Sequence, residues 1–525
     1  MLHRTIISIA FCLSTLVATA QTYSWGDLGN GYYKNPILPI DYSDPDAIRV
    51  GDAYYMVASD FHFMGMQVLK SYDLVNWKII SQIYSRLDFP GWNENKHYAG
   101  GSWAPAIRYH DGKFWVFFCT PDEGLFMTFA ENPDGPWAPL HLVKGVKKWE
   151  DPCPFWDEDG QAYLGRSQHG AGPIIVHRMS PDGKQLLDDG VEVYRGPVAE
   201  GTKFYKLNGY YYLCIPEGGV GQGWQTCLRS KNIYGPYERR IVLEQGSTKT
   251  NGPHQGAMVD TPEGEWWFLH FQEKSPLGRV VHLQPMHWEE NWPVMGHDVD
   301  GNGIGEPVDE CKMPKGKRID QSFAKIEGFG LHWQWNHNPV NDRWSISPDK
   351  QSLTLTALKA NDFKQARNTF TQKIIGYKRH AEVILDLSQM QEGQRCGLSC
   401  MGKQNMLIGI MKRGGALYLY EEHDELTVAM QPYSSQRVLL ALDYDTERNE
   451  FCLSYAAKQG KPLRSIATTF AMRNGFWKGA RVALFNYNTQ EDGGSVTFNN
   501  FTYTNVFSDT NRKYCEKLSF VPQND

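Results

Sequence analysis

The sequence predicts an all-β protein in which a five-bladed β-propeller is followed by a β-sandwich, a jelly-roll or concanavalin-like domain. A hairpin pattern recurs five times in the first 300 or so residues, and strand-like alternation continues to the C-terminus. Little of the chain has helical periodicity. Because 525 residues are too many for one ordinary hydrophobic core, at least two domains are expected.

Each of the five repeats consists of an apolar strand, a turn with Gly or Asp, and an aromatic-rich strand. The repeats begin 59, 47, 50 and 54 residues apart, at Asp46, Pro105, Pro152, Thr202 and Gly256. Their central GD, DG, NG and EG pairs are typical of hairpin turns. A repeat of about 50 residues built from hairpins indicates a propeller blade, and its regularity disfavours an accidental likeness within an ordinary sandwich.

The N-terminus predicts export. His3 and Arg4 precede an apolar run from Ile6 to Val17, and Ala18 and Ala20 form a small-residue cleavage site. The run is shorter than the ~20 residues of a membrane-spanning helix, so we expect a signal peptide over residues 1–20 and no membrane insertion. The predicted domains are a propeller over 21–315 and a sandwich over 316–525.

Composition excludes several partner classes. The formal charge of -6 disfavours nucleic acids and anionic membranes, which favour basic surfaces. Aromatic residues make up 13% of the chain, which suits β-cores and the stacking of sugar rings. The cysteines are scattered and form no CxxC pair, so they are interpreted as small core residues (Cys119, Cys214 and Cys452 among them) rather than a disulfide framework or zinc site.

Polar residues stand just ahead of the five repeats. In a propeller the first strand of each blade runs along the central channel, so these residues are expected at its mouth. They are Asp44, Trp103, Asp151, Glu200 and His254. Each taken singly reads as a turn-capping or solvated residue, but five at equivalent positions indicate an active site.

Three carboxyl groups suit glycoside hydrolysis. One acid must protonate the leaving oxygen and one carboxylate must serve as base or nucleophile. A third carboxylate would raise the pKa of the acid through like-charge repulsion. Trp103 offers a stacking platform for the sugar, and His254 is expected to orient a catalytic group or to contact an axial cation.

Five segments resemble glycoside hydrolase family 43 in their order along the chain. They are NPILPIDYSDPDAIRVGDAYYMVAS, WAPAIRYHDGKFWVFF, EDPCPFWDEDGQAYL, AEGTKFYKLNGYYYL and HQGAMVDTPEGEWWF. The likeness runs from about Asn35 to the end, and GLHWQWNHNP and NDRWSISPD resemble the start of the jelly-roll domain of xylosidase-type members. The resemblance implies a five-bladed propeller enzyme that acts on glycans containing arabinose or xylose.

The resemblance also implies residue roles. Asp44 matches the general base, Glu200 the general acid, and Asp151 the aspartate that tunes and orients the acid. The family inverts anomeric configuration, which implies a separation of about 6.5–9.5 Å between the base and the acid. Asp41 and Asp46 are the alternatives for the base. The expected sugar contacts are Trp103, Arg279 and His254, with Phe61 or Phe63 as a pocket wall.

The sequence leaves the substrate preference open. Many members have YPDPS and TEGPH where this chain has YSDPD and AEGTK. The leading prediction is an exo-acting, inverting enzyme that releases non-reducing-end α-L-arabinofuranosyl units from plant hemicellulose-derived glycans, with a β-D-xylosidase or dual activity as the alternative. A retaining fructosidase-like enzyme, disfavoured by the lack of NDPNG, and a non-catalytic glycan-binding propeller are further alternatives.

Several expectations concern cofactors, location and the second domain. We expect that the reaction requires no cofactor. A structural Ca²⁺ or other cation at the propeller axis is compatible with the sequence. The segment DVDGNGIGEPVDE from Asp298 resembles the start of an EF-hand loop, but an Asp/Gly turn is favoured because no helical patterns flank it. The periplasm is the expected location, with secretion as the alternative. The sandwich is expected to support the propeller rather than to bind glycan itself.

Overall fold

The computed structural model describes residues 25–94, 96–170, 172–319, 323 and 325–504. The predicted signal peptide therefore lies outside the described residues. Regular structure in the described part is β-strand, apart from two short 3-10 helices, Asn341–Arg343 and Phe363–Gln365. None of the helices described here has the length and apolarity to cross a membrane.

The predicted five-bladed propeller is confirmed, and each blade is a four-stranded antiparallel sheet. Blades 1 and 2 consist of Asp46–Val50, Ala53–Val57, Gly65–Ser71 and Lys78–Tyr84, and of Trp103–His110, Lys113–Thr120, Gly124–Ala130 and His141–Gly145. Blades 3 and 4 consist of Trp149–Trp156, Ala162–Gln168, Ile174–Met179 and Val191–Tyr194, and of Lys203–Leu207, Tyr210–Glu217, Trp224–Ser230 and Glu238–Leu243. Blade 5 consists of His254–Asp260, Trp266–Lys274, Gly278–Glu289 and Trp292–Met295.

The first strands of the blades surround the propeller axis, and the first strand of blade 5 contacts that of blade 1. Arg49 of blade 1 closes the ring through two hydrogen bonds, of 3.0 and 2.6 Å, to the carboxylate of Asp260 of blade 5. A two-stranded ribbon of Tyr32–Lys34 and Glu310–Lys312 joins the start of the propeller to the segment that follows blade 5. The start and the end of the propeller are therefore joined twice, once between blades 1 and 5 and once between the segments that precede blade 1 and follow blade 5.

The turn residues account for the hairpins within the blades. At Asp111-Gly112 and at Asn208-Gly209 both central residues have positive φ, between 48° and 72°. Two successive positive φ values match the twist of the flanking strands in a two-residue hairpin, and Asp, Asn and Gly tolerate them best. The DG and NG signals in the sequence therefore mark the inner hairpins of blades 2 and 4.

The C-terminal domain is a sandwich of a seven-stranded and an eight-stranded sheet, as predicted. The first sheet contains Trp344–Ile346, Ser352–Thr356, Ser495–Thr504, Lys378–Asp386, Arg437–Asp445 and Glu450–Ala456, with Lys325–Glu327 paired to Ser495–Thr504. The second contains Gln334–Trp335, Phe370–Lys373, Arg481–Asn488, Gln394–Met401, Asn405–Arg413, Ala416–His423 and Leu426–Tyr433, with Leu358–Lys359 paired to Arg481–Asn488.

The two domains share a core. Ile40 and Trp77 of the propeller belong to the same buried cluster as Trp333 and Ile374 of the sandwich. Polar contacts accompany this packing: Lys373 donates to the backbone carbonyl of Asp41 at 2.7 Å. Because apolar burial is the main favourable term in association, this continuous core fixes the sandwich against the propeller.

One expectation about the cysteines is corrected. Cys214 and Cys227 are directly opposite each other on adjacent strands of blade 4 and form a disulfide. This pairing was not predicted, because the register of two strands cannot be read from two scattered cysteines. Cys452 is also disulfide-bonded, whereas Cys119, Cys153, Cys396 and Cys400 are buried free cysteines, as expected of small core residues.

Candidate active site

A repeated backbone feature forms the rim of the propeller channel. One residue at the entry to the first strand of each blade has positive φ, between 32° and 59°. These residues are Asp44, Ala104, Asp151, Gly201 and Gln255. Such conformations are costly for residues other than glycine and concentrate at functional sites. At Gly201 a Cβ would also lie 2.3 Å from Pro216 Cδ, so glycine is needed directly after Glu200.

This feature corrects the alignment of the five predicted site residues. Asp44 and Asp151 occupy the positive-φ position, whereas Trp103, Glu200 and His254 precede it by one residue. The five are therefore not equivalent in backbone position. Four of them nevertheless reach one cavity, because residues at both positions face the channel mouth.

The cavity has a volume of about 230 Å³ and draws on all five blades and on the sandwich. It is lined by Asp44, Phe61, Trp103, Ala104, Glu150, Asp151, His169, Glu200, Gly219, Val220, Gln255, Arg279 and Trp477. The predicted residues Asp44, Phe61, Trp103, Asp151, Glu200 and Arg279 are thus brought together. Phe63, the alternative wall residue, is instead a core side chain packed against Trp92 and His337.

Asp44 is 3% exposed and held from several directions. Its Oδ2 accepts hydrogen bonds from Ser43 Oγ at 2.8 Å and Ser59 Oγ at 2.5 Å, and its Oδ1 lies 3.2 Å from Arg279 Nη1. These donors fix the orientation of the carboxylate. An ionised, oriented carboxylate at a cavity wall can accept a proton from a water molecule.

The two alternative aspartates lie elsewhere. Asp46 is fully buried and paired with Arg108 at 2.7 Å, on the inner strand rather than in the cavity. Asp41 accepts backbone hydrogen bonds from Arg279 and Gly479 at 2.8 and 3.0 Å, which places it at the junction between the domains. Among the three aspartates of this segment, Asp44 is the one that lines the cavity.

Asp151 and Glu200 are linked through the backbone. Asp151 Oδ2 accepts a 2.6 Å hydrogen bond from the N–H of Gly201, directly after Glu200, and a 3.2 Å bond from Ser167 Oγ. Burial and the negative charge of Asp44 raise the pKa of Asp151 to about 6. Burial and the charges of Asp151 and Asp44 raise the pKa of Glu200 to about 7, against the opposing charge of Arg279. Glu200 can therefore carry a proton near neutral pH.

Glu150 is a fourth carboxyl group in the cavity that was not predicted as a site residue. It is 5% exposed, and its Oε2 lies 3.1 Å from His169 Nδ1. Burial and the charges of Asp151, Glu200 and Asp44 raise its pKa to about 10, so the group is protonated at neutral pH. The motif EDP contains this glutamate directly before Asp151, but successive strand residues normally point to opposite faces, so only one of the two was expected in the cavity. The positive φ of Asp151 interrupts that alternation, and both side chains line the cavity.

Aromatic and imidazole rings form another wall. The ring of Trp103 lies edge-on to Phe61 and His169, with centroids 6.2 and 5.2 Å apart, and its Nε1–H donates to the carbonyl of Ala99 at 2.9 Å. The indole is therefore fixed in orientation while part of it stays exposed. A fixed aromatic face is suited to stacking on the C–H face of a sugar ring.

The sandwich contributes Trp477, which was not predicted from the sequence. It lies in a tight turn closed by two hydrogen bonds between Gly475 and Lys478, and both central residues, Phe476 and Trp477, have positive φ. Phe476 stacks on Tyr98 of the propeller at 4.7 Å, and Lys478 Nζ donates to the carbonyl of Phe61 at 3.0 Å. Contacts on both sides of Trp477 therefore hold it at the cavity.

His254 lies behind the cavity wall, and its neighbour Gln255 lines the cavity instead. Its Nε2 lies 3.1 Å from the carbonyl oxygen of Gly219, and burial lowers its pKa. Its Nδ1 has no hydrogen-bond partner among the described residues. An axial cation stays a prediction.

The carboxyl cluster itself has ligand-like spacing. Oxygen atoms of Glu150, Asp151 and Glu200 all lie within 4.8 Å of one another. At Asp298 the carboxylate accepts backbone hydrogen bonds from Asn302 at 3.1 Å and Gly303 at 2.8 Å, which is the arrangement of an Asp/Gly turn.

Comparison with known proteins agrees with this geometry. Residues 33–293 match the family described as Glycosyl hydrolases family 43, and residues 321–504 match the Beta xylosidase C-terminal Concanavalin A-like domain. The chain is 57% identical over 466 residues to a protein of Xylanibacter ruminicola named "Putative beta-xylosidase", with 88% of each chain covered. It is 33% identical to a protein of Formosa agariphila named "Beta-xylosidase", with 93% of each chain covered.

A solved structure extends the likeness to three dimensions. The bifunctional GH43-CE protein of Bacteroides eggerthii has a TM-score of 0.81 and 29% identity, over 91% of this chain. This chain spans 64% of the length of that bifunctional protein. The likeness in sequence and in fold covers both the propeller and the sandwich. The chain belongs to glycosyl hydrolase family 43.

Proposed function

We propose that the protein is an exo-acting, inverting β-D-xylosidase that releases terminal xylosyl units from hemicellulose-derived glycans. The observation that carries this proposal is the near-complete overlap, at 57% identity, with a relative whose name specifies a beta-xylosidase. The relative at 33% identity is also named a beta-xylosidase. The comparisons therefore favour the alternative of the sequence-based prediction over its leading reading, an α-L-arabinofuranosidase.

Asp44 is proposed as the general base. Arg279 and the two serine hydroxyls hold one carboxylate in a fixed orientation, which is what activation of a single water requires. The activated water attacks the anomeric carbon from the face opposite the leaving group, so the configuration at that carbon inverts. The proton of the water passes to Asp44 as the new C–O bond forms.

Glu200 is proposed as the general acid. Its pKa of about 7 keeps a large share of the carboxyl groups protonated at neutral pH. The acid donates its proton to the glycosidic oxygen as the bond to the anomeric carbon breaks. Asp151 supports this role in two ways: its charge raises the pKa of Glu200, and its hydrogen bond to the Gly201 N–H orients the backbone beside the acid.

The size of the cavity supports exo action. A volume of about 230 Å³, bounded by five blades and by Trp477, suits one terminal pentosyl unit better than the middle of a polymer chain. Trp103 and Phe61 are proposed to contact this unit, with Arg279 near its polar edge. Proton transfer among carboxyl groups, water and the glycosidic oxygen uses no cofactor. Export to the periplasm stays a prediction.

The test compares kcat/KM for an aryl β-D-xyloside and an aryl α-L-arabinofuranoside, with Glu200→Gln as the control. We expect at least a tenfold preference for the xyloside and, for an aryl leaving group that needs protonation as it departs, a clear loss of activity in the control. The reverse preference would identify the enzyme as an α-L-arabinofuranosidase instead. Proton NMR of the first sugar released identifies its anomer, and α-xylose from a β-xyloside is the expected product.

A further inference from the structure

A second polar cavity lies in the sandwich domain, on the face of the eight-stranded sheet. It has a volume of about 110 Å³ and lies beside the adjacent strands Gln394–Met401, Asn405–Arg413 and Ala416–His423. Its polar lining includes Asp362, Arg395, Asn405, Glu422 and Glu425. We name it the sandwich cavity. None of the residues that line it lines the catalytic cavity.

Asn405 is the unusual feature of the sandwich cavity. The residue is 3% exposed, yet within the described chain neither its amide oxygen nor its amide nitrogen has a hydrogen-bond partner. Buried polar groups in native proteins are nearly always paired, so such a group calls for a bound partner. Tyr420, fully buried on the adjacent strand, also has a hydroxyl without a partner in this part of the structure.

The charges around Asn405 are already balanced. Arg395 Nη1 lies 3.0 Å from Glu422 Oε1, Lys96 Nζ lies 3.4 Å from Asp362 Oδ2, and Lys364 Nζ lies 3.1 Å from Glu425 Oε1. Each carboxylate of the lining therefore has a cationic partner. The cation of Arg395 in the lining disfavours a metal ion, and the paired carboxylates disfavour an anion.

Two polar groups of the lining can still form hydrogen bonds. They are the primary amide of Asn405 and the Arg395–Glu422 ion pair, which has donor and acceptor atoms beyond those that join the pair. An amide offers both donor and acceptor atoms, which matches two adjacent hydroxyl groups that each donate and accept. The Arg395–Glu422 pair offers further donors and acceptors in the same small space. A neutral ligand with adjacent hydroxyl groups satisfies all of these atoms without adding charge.

We infer that the sandwich cavity binds one sugar unit of a neutral glycan through the Asn405 amide and the Arg395–Glu422 pair. The site is separate from the proposed reaction and does not depend on which glycoside the propeller cleaves. It also revises the expectation that this domain has a supporting role alone. Binding a second unit of the same polymer would raise the local concentration of chain ends near the catalytic cavity.

The test is an isothermal titration calorimetry experiment in which the full-length Glu200→Gln protein is titrated with D-xylose, L-arabinose and xylotriose. Glu200→Gln suppresses turnover, and the matched protein adds Asn405→Leu, which keeps the branched shape of the side chain but removes both amide atoms. We expect two sites for at least one sugar in the first protein and one site in the second. One site of equal affinity in both proteins would overturn the proposal.

Three further measurements distinguish loss of the site from misfolding of the variant. A second variant, Glu422→Gln, keeps the size of the side chain and is expected to weaken the second site at least fivefold. Crystals of the Glu200→Gln protein soaked in xylotriose should show a sugar ring next to Asn405. A sugar in the catalytic cavity with none beside Asn405 would contradict the inference. In the otherwise unaltered enzyme, Asn405→Leu should leave kcat/KM on the aryl xyloside within twofold.

Discussion

Arg279 Nη1 lies 3.2 Å from Asp44 Oδ1, and the backbone N–H of the same arginine donates to Asp41 at 2.8 Å. Asp41 in turn accepts a hydrogen bond from Gly479 of the sandwich. One arginine therefore connects the proposed base to the junction between the two domains. Because Gly479 is two residues after Trp477, the same junction positions the base and the aromatic contribution of the sandwich.

Replacing Asp44 by Asn tests the assignment of the base. The amide keeps the shape of the side chain but cannot accept the proton of water, so kcat should fall by a factor of about 10²–10⁴. Steady-state kinetics on the aryl xyloside measures this effect. The melting temperature should stay within a few degrees of the parent protein. Full activity in a folded Asp44→Asn protein would assign the base to another residue.

Replacing Glu200 by Gln should produce a loss that depends on the leaving group. A glycosidic oxygen of high pKa needs a proton as it departs, whereas an activated phenol leaves as the anion. We expect kcat/KM to fall about 10²–10⁴-fold on xylobiose and far less on a dinitrophenyl xyloside. Glu150→Gln is the matched control, since this neighbouring carboxyl should be dispensable for leaving-group protonation. An equal loss on both substrates in Glu200→Gln would argue against the acid role.

Asp151→Asn should shift the pH profile. The negative charge of Asp151 raises the pKa of Glu200, so its removal makes Glu200 lose its proton at lower pH. The alkaline limb of kcat/KM, expected near pH 7 in the parent enzyme, should move down by about 0.5–1 unit. Profiles of kcat/KM from pH 4 to 9 for both proteins provide the measurement. An unmoved or upward-shifted limb would show that Asp151 does not tune the acid.

The blade architecture could be predicted from the sequence because its signals are local. Turn pairs such as Asn208-Gly209 set the hairpins, and apolar alternation sets the strands. The proximity of Asp44, Asp151 and Glu200 followed from the repeat, since residues within one or two places of the same point in each blade of a closed ring converge. The repeat also placed Trp103 at the channel mouth, whereas Arg279 was assigned only through the family resemblance.

Glu150 and Trp477 were missed for physical reasons. Strand alternation places one of two adjacent residues in a cavity, and the sequence carries no sign that Asp151 adopts positive φ. Trp477 lies more than 190 residues after Arg279, in a turn of another domain, and its approach depends on the packing of Phe476 on Tyr98. The Cys214–Cys227 pair likewise required a strand register that local signals do not set.

Glu150→Gln should stabilise the protein at alkaline pH. The folded-state pKa of about 10 lies above the ordinary value of 4.5, so the folded chain holds a proton that the unfolded chain releases. This contribution to stability is complete below about pH 4.5 and is lost as pH rises toward 10. Glutamine does not titrate, so the melting temperature should rise by on the order of 1–3 °C at pH 8 relative to the parent.

The comparison at pH 3.5 is the control for this prediction, because at that pH the carboxyl is protonated in both the folded and the unfolded state and the two proteins should melt within about 1 °C of each other. Thermal unfolding by circular dichroism at both pH values gives the measurement. A melting temperature that falls at pH 8 would mean that the ionised carboxylate is stabilised in the folded protein. That outcome would also mean that Glu150 is ionised, not protonated, in the cavity at pH 8.

Trp477→Ala should weaken substrate binding and leave the chemical step almost unchanged. The side chain is 49% exposed at the cavity, and a stacking aromatic face contributes roughly 1 kcal/mol, so KM on xylobiose should rise about three- to tenfold. The value of kcat should stay within about twofold, because no reacting atom is assigned to this residue. Trp477→Phe keeps an aromatic face and should recover most of the affinity. Because Phe476 and Lys478 still anchor the turn, the melting temperature should not change, and an unaltered KM in Trp477→Ala would exclude the sandwich from substrate recognition at this cavity.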